Sequence, residues 1–412
     1  MQVRRIGRRA LIAIAILAVV ALLGTALVRF WWARHGAGWT HDPEDAAWVL
    51  PAASQQLIER AFADADDRPV LDRRALIVSR GQLSGPGFSN DSRANGRAGP
   101  SIAVWLSRRL RDEAAGVVRP ETADADYVSR LVRQIRAMPG PYRARIMARD
   151  GVFDDQGVPR IDNAEPTVAN AYVAWLGQRA APLLAPVVSI HPQRPDADQA
   201  LVKWAAKGVD EIVWWPVRQR IDPTGAAAKA AYKVMAEHDM RLVISVGQLR
   251  NADGESRWIA PAAIRPALKA GVSVRLRLGR AHGAEDQNLM PALFRLLRET
   301  GDDEVDLTVS LAGLLTGDRP GTELEPLLEH PQFFARLRYA SGYPRIARAG
   351  AIDLDRLAAE GFIARADVAP LAAIYDVNPL LFTFVVMRHV HLPGTGLALP
   401  DTVFFGPASD SD

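Results

Sequence analysis

The sequence predicts an α/β fold, a (β/α)8 TIM-barrel-like domain preceded by a single N-terminal transmembrane helix. Three observations predict it. From residue 70 onward, eight short β-rich runs alternate with longer amphipathic stretches over about 270 residues. The glycine-rich turn after the first run, "GQLSGPG", lacks the G-x-G-x-x-G spacing of a dinucleotide site and opens no helix, which disfavours the runner-up, a doubly wound open sheet. The chain also begins with a long uncharged run behind an arginine cluster.

Residues 1–9 form a basic segment, "MQVRRIGRR", and residues 10–32 follow as the expected membrane span. Ala10 to Val28 carry no charge, and at 1.5 Å per residue the run approaches the roughly 30 Å of a bilayer core. Arginines before the span and Trp31-Trp32 at its end place the N-terminus in the cytoplasm and the body outside it, in the periplasm of a Gram-negative cell. Gly24-Thr25-Ala26 offers the competing reading, a cleaved signal peptide, although the apolar run is long for one. Residues 33–70 read as a linker and first helix, and residues 71–412 as the barrel with a closing C-terminal helix.

Within the barrel the strands are expected at Ala75–Arg80, Ala144–Ala148, Ala185–His191, Glu211–Pro216, Leu242–Gly247, Ser273–Gly279, Val305–Leu311 and Leu337–Ser341. Stretches such as "YVSRLVRQIRAM" and "NLMPALFRLLRETG" between them show apolar residues at helical spacing, and Gly208, Gly271 and Gly301 suit helix C-termini. In such a barrel the strand C-termini gather at one functional face.

Composition narrows the function. The chain has no cysteine, which excludes disulfides, thiolate metal sites and a cysteine nucleophile. Residues 1–34 hold six arginines and no acid, so the formal charge of +3 hides a body of net −3. No broad basic surface for nucleic acid is expected.

Four segments at or after the predicted strand ends, "VVSIHPQRPDA", "IVWWPVRQRIDP", "RYASGYP" and "NPLLFTFVVMRHVHLPG", together resemble the amidohydrolase superfamily, in particular its amidohydrolase-2-like metal-dependent hydrolases. "VVSIHPQRPDA" (Val187–Ala197) is similar to that group's His-Pro-x-Arg-Pro-Asp-Ala signature, and "IVWWPVRQRIDP" (Ile212–Pro223) to its Lys-Trp-x-Pro and Ile-Asp-Pro segment. "RYASGYP" (Arg338–Pro344) resembles its Gly-Ser-Asp-Tyr-Pro turn, and "NPLLFTFVVMRHVHLPG" (Asn378–Gly394) its closing helix. The likeness spans roughly residues 74–405.

The resemblance also implies where metal ligands should stand, and the residues there are of the wrong kind. The His-x-His pair falls on Arg80-Gly81-Gln82, the lysine on Val213, two histidines on Ser245 and near Leu278, and the aspartate on Gly342. Such a site wants three or four imidazole or carboxylate ligands. The expectation is a degenerate member: a membrane-anchored, extracytoplasmic, non-catalytic barrel with no metal and no cofactor, binding a small anion or a protein partner. A homo-oligomer or association with a related hydrolase is carried by analogy alone. The alternative is a hydrolase or lyase acting without a metal or with an atypical one.

Candidate residues follow from these positions. Arg80, Gln82, Ser245, Arg277 and Tyr343 are the expected ligand-binding set. Arg275 and Arg277 alternate in "VSVRLRLG", so they share one side of their strand. Facing inward they line an anion pocket; facing outward they pair with acids of the helices. Asp150, His191 and Asp222 are the catalytic candidates, acting as acid and base if their environments split their pKa values. Against this, His191 before Pro192 suits a ring bonded to backbone, and Asp222 before Pro223 suits a turn or helix cap. His282 reaches a ligand position only by a register slip, and His389 with His391 mimics a ligand pair but falls in the closing helix.

Overall fold

The computed structural model describes residues 49–79, 112–117, 119–160, 167–251, 254–279, 288–302, 304–309 and 321–406, with short stretches at 23–27, 44, 106 and 109–110. Its strands are β1 Val70–Leu76, β2 Tyr142–Met147, β3 Leu184–Val187, β4 Glu211–Trp214, β5 Arg241–Arg250, β6 Ser256–Ile259, β7 Val274–Leu278, β8 Val305–Val309 and β9 Leu337–Tyr339. All except β6 pair in parallel, in the orders β1-β2-β3 and β4-β5-β7-β8-β9. Parallel bridges Val188 to Ile212 and Ala75 to Tyr343 join the two runs at both ends. The ladder therefore closes on itself, and the open sheet is set aside.

Helices fill each parallel crossover: Ala123–Arg136, Asn170–Arg179, Ala197–Ala205, Ala226–Glu237, Arg265–Lys269, Leu289–Glu299 and Gly321–Leu328. Where caps are visible they follow the sequence. Asn288 accepts from the Met290 amide to start one helix, and Asn378 accepts from Leu380 and Leu381 to start Pro379–His389, with proline at its first position. In the strands the period of two sorts side chains onto two faces. Ile212, Trp214, Leu242, Ile244, Val274 and Leu276 face the helices and join one large core. Met147, Val187, Val213, Trp215 and Val243 form a separate cluster inside the ring.

The first strand lies earlier than expected, at Val70–Leu76 instead of Ala75–Arg80. The charged run Asp72-Arg73-Arg74 concealed it. Asp72 faces outward yet is fully buried, accepting from Tyr142 Oη at 3.1 Å, Ser341 Oγ at 2.6 Å and the Ser341 and Arg74 amides at 2.9 Å. Those bonds tie the first strand to the turn after the last. A register irregularity between Asp72 and Ala75 then leaves both following arginines turned toward other charges of the ring.

A further difference concerns the end of an element. β5 continues past Gly247, whose φ of +92° marks the bend, and folds back as the antiparallel β6, a hairpin with no counterpart in the expected pattern. The closing helix Pro379–His389 is buried from Pro379 through Met387, packed on Val368–Val377 and on Ala52–Phe62. Of the expected membrane span only residues 23–27 are described, a helical piece with Leu23 and Leu27 exposed. Among the described residues no helix is long and apolar enough to cross a membrane, and the rest of 10–32 lies outside them.

Candidate functional site: an arginine-lined barrel mouth

Arg275 and Arg277 both face the inside of the ring, 1% and 3% exposed, so the inward of the two orientations holds for each. Their surroundings differ completely. Arg275 forms a fork to Asp306, Nε to Oδ1 at 2.8 Å and Nη2 to Oδ2 at 2.9 Å, and its Nη1 pairs with Glu211. Arg145 bridges Asp210 at 2.9 Å and Glu211 at 3.3 Å, and Arg241 reaches Asp306 at 3.1 Å. Burial opposes the charge of Arg275, but Glu211 and Asp306 outweigh it and hold the guanidinium protonated. This ionic plug closes the end of the ring where the strands begin. Arg275 belongs to it and not to an anion pocket.

Beside the plug, inside the ring, lies the apolar cluster of Met147, Val187, Val213 and Val243, with Val243 opposite Arg275 in the ladder. Arg277 stands two residues further along its strand, opposite Ser245 in the ladder. Its Nη1 lies 3.6 Å from Met147 Sδ, and its guanidinium carbon sits 3.9 Å from the centre of the Trp215 ring. Among the described residues the buried Nε has no hydrogen-bond partner. The described charges acting on it are Arg74, Arg218 and Arg149, all positive. Burial, reinforced by these three, pushes its pKa well below the ordinary arginine value.

Arg74 is in a similar position. Its Nε is also buried without a partner, and burial with the nearby Arg345 and Arg218 pushes its pKa down to about 10. Arg149 adds a second guanidinium 5.3 Å from the Trp215 ring. These cations come from β1, the residues after β2 and β4, β7 and the turn after β9, so five strands deliver positive charge to the C-terminal mouth. Arg74, Arg149, Arg218 and Arg345 were not foreseen in the sequence. The only signal for Arg74 was the charged triplet that disguised its strand.

A divalent cation does not fit these residues. Among the described residues no three His, Asp or Glu side chains gather as ligands. Val213 belongs to the inner apolar layer, Leu278 packs toward the helices, and Ser245 lies beside Arg277. Gly342 offers no ligand atom, and a buried guanidinium repels a cation. Arg80, Gln82 and His282 lie outside the described residues.

The catalytic trio Asp150, His191 and Asp222 is corrected by its bonding. His191 is fully buried; its Nε2 donates to the Gln219 carbonyl at 2.8 Å while Nδ1 accepts from the Gln193 amide at 3.1 Å. Both ring nitrogens are thereby spent on backbone. Asp150 braces the same loop, accepting from the His191 amide at 2.9 Å and from Arg194 Nη1 at 3.1 Å. Asp222 is exposed and caps its own turn through the Thr224 amide at 2.8 Å and Oγ1 at 2.7 Å, joining neither of the others. Tyr343 is corrected too: its ring is buried in the helix layer, edge-on to Tyr127 at 5.7 Å, because its strand-end position faces outward. His389 and His391 donate to the Val385 and His389 carbonyls at 2.8 and 3.1 Å and form no ligand pair.

Burial lowers the His191 pKa below its ordinary value, more than the Gln219 carbonyl and Asp150 raise it. Above about pH 6.5 the ring is neutral in both folded and unfolded chains and pH has no effect through it. Below that the unfolded chain takes the proton first, so stability falls as pH drops from 6.5 toward the lower folded value. Urea unfolding between pH 7.5 and 5 should show this decline, and His191→Gln should be less stable at pH 7.5 with a flatter profile. An unchanged profile in that variant assigns the decline to other groups.

No family model matches the chain, and no curated protein is significantly similar to it. Among solved structures it is similar to a protein assigned as a 2-pyrone-4,6-dicarboxylic acid hydrolase from Pseudomonas putida, at 18% identity and TM-score 0.41, covering 77% of this chain and 98% of that one. A 5-carboxyvanillate decarboxylase from Sphingomonas paucimobilis aligns at 13% identity and TM-score 0.40, over 78% and 98% of the two chains. An N-acetyl-D-glucosamine-6-phosphate deacetylase from Mycobacterium smegmatis aligns at 16% identity and TM-score 0.31, over 81% and 78%. The fold assignment stands on the strand ladder itself.

Proposed function

We propose that this chain is an amidohydrolase-like barrel that binds a small anion at its C-terminal mouth, where relatives of that kind hold a metal, and that it does not carry out metal-dependent hydrolysis. Arg277 carries the reading. A fully buried guanidinium that meets no carboxylate among the described residues, two residues along the strand from the arginine that holds Glu211 and Asp306, is an anion site in waiting. Buried charges are stable only when paired. The reading includes the anchor: residues 10–32 hold the barrel at the outer face of the cytoplasmic membrane, with the N-terminal arginines inside.

Metal content and anion response test it together. Purified without a metal-affinity tag and incubated with zinc, iron or manganese, the protein should retain less than about a tenth of an equivalent. Its unfolding midpoint should rise with sodium sulfate at constant ionic strength, and Arg277→Met should abolish that rise. Close to one equivalent of tightly held metal, or hydrolysis of esters, amides or lactones that chelator removes, overturns the proposal.

A further inference from the structure

Resting on that anion-binding reading, we infer that the ligand is an oxyanion with at least two negative charges, gripped between the unpartnered Nε edges of Arg74 and Arg277. The first reason is geometric. A guanidinium presents its Nε–H and one Nη–H along a single edge, a two-bond fork for paired oxygens. Arg277 turns Nη1 to Met147 Sδ and leaves Nε bare, and the Nε of Arg74 is bare as well. Two unpartnered Nε edges, on guanidiniums near enough to act on each other, match a ligand that offers oxygens on two sides.

The second reason is charge. Arg74 is among the cations that act on Arg277, and among the described residues no carboxylate is a cause of its shift. A singly charged ligand neutralises one of the two and leaves the other facing its like. A doubly charged one answers both. The acid beside Arg74 does not serve: Asp72 lies on the outer face of β1, occupied by Ser341 and Tyr142. The acids of the plug do not serve either, since Arg275, Arg145 and Arg241 hold Glu211 and Asp306.

The third reason is depth. Trp215 lies under the Arg277 guanidinium, and Met147, Val187 and Val213 fill the inside of the ring. The ligand's charged end stops there, which suits a compact group: inorganic phosphate or a phosphomonoester, sulfate, or a short dicarboxylate. These share one recognition chemistry, and the experiment separates them.

Calorimetric titration of the full-length protein in detergent, at constant ionic strength, uses acetate, sulfate, phosphate and succinate as probes. At least one of the doubly charged probes should bind about tenfold or more tightly than acetate. Sulfate or phosphate in first place identifies a tetrahedral group, and succinate a dicarboxylate. Arg74→Gln and Arg277→Gln should each reduce the preferred probe to the level of acetate. Arg277→Lys keeps the charge and removes the fork, so it should lose most of the preference even if Arg277→Gln fails to fold. Acetate binding as tightly as every doubly charged probe, or full preference retained in Arg277→Lys and Arg74→Gln, overturns this inference and leaves the anion-binding reading standing. No binding of any probe overturns both.

Discussion

Replacing Arg275 by methionine should destabilise the protein by about 3–5 kcal/mol, enough to leave much of it unfolded at 37 °C. Methionine matches the arginine stem in volume, so the loss is electrostatic. Glu211 and Asp306, 2% and 5% exposed, would keep their charges without the guanidinium that bonds both. Arg145, Arg241 and Arg338 remain, but each approaches only one of the two acids, and Arg73, which acts on both, is itself deeply buried. Adding Glu211→Gln and Asp306→Asn to Arg275→Met should recover a large part of the loss, because neutral side chains in that place cost far less than stranded carboxylates. Denaturant unfolding of the single and triple variants measures this. A single variant within about 1 kcal/mol of the wild type would mean that water reaches the plug and screens it.

Two residues along the same strand the sign reverses. Arg277→Met should stabilise the anion-free protein by about 1–3 kcal/mol, since it removes a buried charge that meets no acid among the described residues and has three like charges around it. The methionine still packs on Trp215 and Met147, so little contact is lost. The same variant should no longer respond to anion, whereas the wild type at a hundredfold excess over its dissociation constant should gain about 2.7 kcal/mol. Wild type and variant unfolding curves, each with and without sulfate, separate the two effects. A destabilised, anion-indifferent variant would show that Arg277 is paired by groups outside the described residues and is part of the core. The opposite signs expected for neighbouring inward arginines are the most direct way to distinguish the plug from the mouth.

Much of the architecture was legible. Alternating β-rich and helical runs located all eight parallel strands, most within a few residues, because burial on both faces of a parallel strand demands apolar runs. The first strand escaped that rule: "VLDRRAL" carries three consecutive charges, and nothing local reveals that Asp72 finds Ser341 some 269 residues away. The β5–β6 hairpin was missed because "GQLRNADGESRWI" reads as a polar loop, and pairing is decided by which residues meet across it.

The candidate site divides in the same way. That Arg275 and Arg277 share one side of their strand followed from their spacing of two; that this side faces inward, with Ser245 opposite Arg277, came only from the ladder. Which arginine is neutralised did not follow from spacing either, because Glu211 and Asp306 reach Arg275 only once β4 and β8 are placed in the ring. Tyr343 and Asp222 misled for the reverse reason. Both sit at strand ends or the loops after them, yet one faces the helices and the other bonds to its own turn.

By itself, then, the amino-acid sequence determined the periodicities, the number of parallel strands, the absence of cysteine chemistry and the lack of metal-ligand types at the described positions Val213, Ser245, Leu278 and Gly342. Those are properties of residue type and spacing, which need no partner to be defined. Only the tertiary structure decided which charges are paired. Arg74, Arg149, Arg218, Arg277 and Arg345 are spread over 272 residues of chain, and closure of the ring brings them to one mouth while Glu211 and Asp306 are taken up by Arg275. An arginine's meaning depends on the dielectric and the charges within a few ångströms of it, and those are supplied by the fold.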